Sequence, residues 1–149
     1  MIRWIRKKIL LNGPWAFDKH LLVTGDYVGH IQPSKVRLDH SSFWVQVFDL
    51  PLGMMGASTA EFIGNKLGTY EGYDSKGSKV SWGKFLRIRV NLKLNFPLKR
   101  VMKLFVEGAV CSVYFKYECL PTFCYFCGLI SHADRDKFFC WFEFKTHYV

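Results

Sequence analysis

The chain has 149 residues, a mass of 17.4 kDa and a net charge of +9, and half of its residues are hydrophobic. That is material for one domain with small appendages and is too apolar for a disordered tail. No apolar run reaches the roughly 18 residues that span a bilayer, and the basic N-terminus mixes charge into its hydrophobic residues with no small-residue cleavage site after it, so an intracellular protein without a membrane partner is expected.

Residues 1–12 read as a short amphipathic helix. Ile2, Ile5 and Ile9 fall on one stripe, Arg3, Arg6 and Lys7 on another, and Gly13-Pro14 stops it. His20 to Tyr27 reads as a strand, and the polar residues 29–42, with Pro33, as a linker. One helix and one strand cannot bury a core alone. The main body starts at Phe43, where Phe43, Val45 and Val47 alternate with Trp44, Gln46 and Phe48 in a strand that Pro51 ends. Residues 58–67 read as a helix: Ser58 and Glu61 have capping-box spacing, Ala60, Ile63 and Leu67 share a face, and Gly68 suits the C-terminal cap. A short strand over 69–74 and a polar turn follow.

The clearest period lies in residues 84–96. Leu86, Ile88, Val90, Leu92, Leu94 and Phe96 point one way, and Arg87, Arg89, Asn91, Lys93 and Asn95 the other, which is the pattern of a half-buried antiparallel strand. The strand sits in a window without acidic residues, from Asp74 to Glu107, whose basic residues account for the whole charge excess. Segregated charge of one sign points to a polyanionic partner. On this reading Arg87, Arg89 and Lys93, with Lys99 and Arg100 beyond Pro97, meet phosphates. A cationic strand face that discourages edge aggregation fits the same pattern. Residues 101–106 and 110–118 then form a hairpin across Glu107-Gly108, with Val113, Phe115 and Tyr117 inward. The expected fold is α+β: an antiparallel sheet with one main helix, in the order β-α-β-β-β-β, followed by a small C-terminal segment.

That segment carries Cys124, Cys127 and His132 at the spacing C-x2-C-x4-H, the first three ligands of a zinc knuckle. The position of the fourth ligand is Lys137, whose protonated amine has no lone pair for a metal. Cys140 could loop back to complete a Zn²⁺ site. The bland alternative is two ordinary thiols and a surface histidine. Tyr125 and Phe126 offer stacking faces and Arg135 a charge, the equipment of a single-strand binder. Gly128 stands where such a turn commonly needs a left-handed residue.

Several blocks occur together and in order: G-P-W-A-F-D-K-H-L-L-V (13–23), F-W-V-Q-V-F-D-L-P-L-G (43–53), I-G-N-K-L-G (63–68), P-L-K-R (97–100) and F-K-Y-E-C-L-P-T-F-C-Y-F-C-G-L-I-S-H (115–132). In these the chain resembles plant CCHC-type zinc-knuckle proteins related to the nucleic-acid-binding part of non-LTR retrotransposons. The resemblance implies a knuckle C-x2-C-x4-H-x4-C, so Cys124, Cys127 and His132 match and Lys137 departs; Ser131 also replaces a glycine. It further implies zinc and nucleic-acid binding, a nuclear location and no chemistry. It makes residues 1–28 the remnant helix and strand of an upstream RNA-recognition-like domain. Residues 29–42 are then a linker, 43–121 the sheet domain, 122–140 a degenerate knuckle and 141–149 a tail.

The expected function is therefore a zinc-containing module that binds single-stranded RNA or DNA. The rival is a decayed gene fragment acting as a structural or protein-interaction domain without zinc. An enzyme with a small-molecule substrate is not expected, because Cys and His meet only in the knuckle with no group placed to activate a nucleophile.

Overall fold

The computed structural model describes residues 2–27, 29–75 and 85–130, which hold two α-helices and two antiparallel sheets. No helix among them is long and apolar enough to cross a membrane. Among the described residues two compact units divide the chain. The segments up to Ser41, Lys93–Pro97 and from Cys119 onward form one, and Ser42–Leu92 with Leu98–Glu118 form the other.

The first unit opens with α1 (Ile2–Asn12), which buries none of its residues. It is tied down through its polar groups: the Trp15 indole donates to the Ile9 carbonyl at 2.8 Å, and Arg6 pairs with Asp26 and donates to the Tyr27 carbonyl. A two-residue turn at Asp18 and Lys19, both left-handed at φ 46° and 64°, joins β1 (Trp15–Phe17) to β2 (His20–Leu22). The strand expected over His20–Tyr27 is thus cut to three residues, because its partner is only three residues long. A 3₁₀ turn at Pro33–Lys35 lies in the segment expected as a linker.

The second unit follows the expected order β-α-β-β-β-β. Its elements are β3 (His40–Phe48), α2 (Ala57–Leu67), β4 (Thr69–Tyr73), β5 (Phe85–Lys93), β6 (Val101–Val106) and β7 (Ala109–Tyr117), and the strands run β4-β5-β3-β7-β6 across the sheet. Period-2 alternation places Phe43, Val45 and Val47 of β3, Leu86, Ile88 and Val90 of β5 and Val113 of β7 in the core with no exposed surface. The helix buries Ala60, Ile63 and Gly64 and packs along β4. The β6–β7 turn uses Glu107 and Gly108, both left-handed at φ 48° and 83°, the geometry that matches the twist of a tight hairpin.

Two local expectations change. The helix starts at Ala57 with Gly56 as its N-cap and no side-chain cap bond, so Ser58 and Glu61 lie inside the first turns and not in a capping box. Gly68 ends the helix in an extended conformation, and its role is close approach: a Cβ there would stand 2.3 Å from the Asn91 carbonyl oxygen of β5. The alternation of β5 also stops at Lys93. Leu94 turns away and its amide donates to the Asp39 carbonyl at 2.8 Å, while Phe96 is exposed.

Candidate metal centre and nucleic-acid interface

After β7 the chain passes Leu120-Pro121 and is caught by the N-terminal hairpin. Thr122 donates twice to the Lys19 carbonyl, from its amide at 2.9 Å and from its hydroxyl at 2.8 Å. The acceptor belongs to the second residue of the β1–β2 turn. This anchor leaves no trace in the sequence pattern around Thr122.

The C-x2-C segment then closes on itself. Gly128 donates its amide to the Cys124 carbonyl at 2.8 Å, and Cys124 donates its amide to the Leu129 carbonyl at 2.9 Å. Gly128 holds φ 82°, the left-handed conformation expected of it. The result is a tight turn that buries both cysteines, Cys124 to 1% and Cys127 to 7% exposure, in a small cluster with Leu129. The residues between them point outward: Tyr125 and Phe126 are each 65% exposed, and Tyr125 meets Phe123 edge-on at 5.1 Å between ring centroids. Two inward thiols and two outward rings thus come from four consecutive residues.

Two thiols on one turn suit half of a tetrahedral zinc site, whose ligands are thiolates and imidazoles. The other expected ligands, His132 and Cys140, lie outside the described residues, as do Lys137 and Arg135. Among the described residues no three Cys, His, Asp or Glu side chains gather for a metal. Cys111 is engaged on β7, its thiol donating to the Asp49 carbonyl at 3.4 Å, and Cys119 is exposed just beyond that strand.

The cationic row of β5 is not the open face that alternation predicts. Arg87 makes a bidentate pair with Glu118, Nε to Oε1 and Nη2 to Oε2 both at 2.8 Å, and donates from Nη1 to Asp74 at 3.2 Å. Its guanidinium lies 4.0 Å from the centroid of the Trp44 ring. Arg89, beside the same ring, pairs with Glu71 at 3.4 Å, and Glu71 accepts from Ser42, which accepts from Asn91. Gln46 completes the network by donating to Glu118 at 2.8 Å. The hydrogen bond from Arg87 holds the Glu118 carboxyl below its ordinary range, and the same bond raises Arg87. Arg89 is lowered, chiefly by burial. Both arginines are committed to carboxylates of their own sheet, and the expected solvent row is corrected to an ion-pair network around Trp44.

The remaining cations are placed differently. Lys93 ends β5 exposed, with its ammonium 5.5 Å from the Phe96 ring. Lys99 and Arg100 are both exposed on the approach to β6; the Lys99 ammonium donates to the Lys66 carbonyl at 3.1 Å. The Lys99 carbonyl accepts from the Tyr117 hydroxyl at 2.5 Å, and burial pushes that phenol well above its usual range.

No curated protein and no solved structure matches the chain. Residues 92–142 match the family model described as zinc knuckle, a stretch that takes in β6 and β7 as well as the C-x2-C turn, and the match supports zinc binding and nucleic-acid binding for that part of the chain.

Proposed function

We propose that the chain is a non-catalytic module that binds single-stranded RNA or DNA in the nucleus, akin to plant CCHC-type zinc-knuckle proteins related to the nucleic-acid-binding part of non-LTR retrotransposons. Cys124 and Cys127 would hold one side of a Zn²⁺ ion, with His132 and Cys140 as candidates for the other. The observation that carries this reading is the turn itself: both thiols buried on one side, both aromatic rings presented on the other, inside a stretch that matches the zinc-knuckle family. Zinc would supply the folding free energy that so small a segment lacks in apolar contacts. The rings supply stacking for unpaired bases, and Lys93, Lys99 and Arg100 supply charge for phosphates. Arg87 and Arg89 are left with a structural part.

The test measures zinc content of protein purified without added metal, together with single-strand affinity across a salt series, for the natural chain, Cys124→Ser and Lys137→Cys. The expected result is zinc in the natural chain, its loss with Cys124→Ser, and tighter retention with Lys137→Cys. Replacing Lys93, Lys99 and Arg100 by Gln should flatten the dependence of log K on log salt by up to about 0.7 per cation for a single strand. A metal-free chain with salt-independent or absent binding would support the decayed-fragment reading instead.

A further inference from the structure

The outward face of the β6–β7 hairpin plays no part in the site above, and it has an unusual make-up for an exposed sheet surface. Its inward positions, Leu104, Val113, Phe115 and Tyr117, are buried. The outward ones are Val101, Phe105, Val110 and Tyr114, exposed with Phe105 at 78%, the exposed lysines Lys103 and Lys116, and the half-buried Ser112 opposite Lys103. Register sets Tyr114 beside Val101 and Phe105 beside Val110, with Lys103 between the two pairs. On the other side Phe48 of β3 adjoins Tyr114, and Lys116 adjoins Gln46.

Charge decides what such a surface suits. None of these outward positions of β6 and β7 carries a carboxylate. The acids at the margins of this surface are Glu107 in the turn, Asp49, which follows Phe48 and whose carbonyl accepts from the Cys111 thiol, and Glu118, which is taken by Arg87. The same face is therefore divided: over β3 and β5 the arginines are neutralised within the sheet, and over β6 and β7 cations alternate with apolar groups. A protein partner would bury the Lys103 ammonium in the middle of the contact, and lysine is depleted from the cores of protein interfaces. A single-stranded polyanion uses both kinds of group, bases on rings and phosphates on ammonium groups.

We propose that the outward face of the β6–β7 hairpin is a second surface for single-stranded nucleic acid, with Tyr114 and Phe105 stacking on bases and Lys103 and Lys116 meeting phosphates. Strand rise places the Tyr114–Val101 pair and Phe105 about 13 Å apart, which leaves room for the backbone to cross Lys103 between two stacked bases. The proposal rests on the reading that the chain binds nucleic acid and adds a surface that the C-x2-C turn does not include. Both lie in the stretch 92–142.

The test uses the full chain with a labelled oligo(U) of about 15 nucleotides, in the range of single-strand site sizes. Four variants separate the surfaces: Tyr114→Ala with Phe105→Ala on the sheet, Tyr125→Ala with Phe126→Ala on the turn, Tyr114→Phe, and Lys103→Gln. The sheet pair should weaken binding by about tenfold or more, from the value of one to two stacked bases. Tyr114→Phe keeps its ring and should bind as the natural chain does, and Lys103→Gln should reduce the salt slope by about 0.7. All of these side chains are largely exposed, and unchanged melting verifies that the variants stay folded. If the sheet variants bind normally while the turn variants lose affinity, this proposal fails and the function proposed above stands. If the natural chain binds neither oligo(U) nor oligo(dT) of the same length, both fail. A natural chain that is dimeric, and monomeric with Phe105→Ala, assigns the patch to a second copy and overturns the proposal.

Discussion

Replacing Glu118 by Gln probes the network that takes Arg87 out of solution. The substitution keeps the shape of the side chain and the Gln46 contact region, but removes the charge and one of two acceptors, both now at 2.8 Å from the guanidinium. A net hydrogen bond to a charged group contributes about 1.5–3 kcal/mol. Breaking a fully buried pair costs about 3–5 kcal/mol, and solvent screening reduces that where water reaches the groups. The two side chains are 27% and 23% exposed, and Asp74 remains 3.2 Å from Nη1 as a second partner. The expected loss is therefore about 2 kcal/mol, or about 4–8 °C in melting temperature for a chain of this size. A double-mutant cycle with Arg87→Met, read by urea unfolding, should give a coupling of about 1–2 kcal/mol. The sign with pH follows from the carboxyl. Arg87 holds Glu118 below the ordinary carboxyl range, so the stabilisation is complete above that range and is lost as pH falls through the folded-state pKa. The gap between natural chain and variant should be full at neutral pH and close in acid. A coupling under about 0.5 kcal/mol, or a gap indifferent to pH, would refute the network as a source of stability.

Two further outcomes follow from close contacts. Gly68→Ala should lower stability by about 1–3 kcal/mol in urea unfolding, because the added methyl would have to displace the Asn91 carbonyl of β5, 2.3 Å away. Thr122→Val keeps the backbone bond to Lys19 and removes the hydroxyl bond, and should cost about 1 kcal/mol, read as earlier loss of hydrogen-exchange protection at Cys124 and Gly128.

What the sequence disclosed depended on whether a signal was local. The alternation named the buried side chains of β7 and those of β5 as far as Leu92, though not Leu94 and Phe96 beyond the strand's end, because a strand's period is written in adjacent residues. The Glu107-Gly108 turn and Gly128 were legible for the same reason: each needs a left-handed residue at a definite place. The fate of the arginine row was not. Alternation tells which face Arg87 and Arg89 occupy, but Glu118 and Trp44 belong to segments far away in the chain, and the acid-free window between Asp74 and Glu107 concealed the acids at its margins. Asp74 itself marks one border of that window and binds Arg87. The strand Trp15–Phe17 was missed because three residues are too few to display a period. The capping box failed because Gly56 supplied an earlier start for the helix than the sequence of polar side chains suggested. At the candidate site the paired thiols and flanking rings were visible from spacing, whereas Leu129 as their buried neighbour and Lys19 as the distant acceptor were not.

The bond between Thr122 and Lys19 joins residues 103 positions apart. On a ribosome the β1–β2 turn emerges early, and its acceptor has to wait until the whole sheet-forming middle of the chain has been made. Closing so long a loop is slow more than it is costly, since loop entropy grows only by about 0.6 kcal/mol per doubling while folding rates fall as contacts become more distant. Synthesis therefore leaves the Lys19 carbonyl of the β1–β2 turn to water until Thr122 has been made.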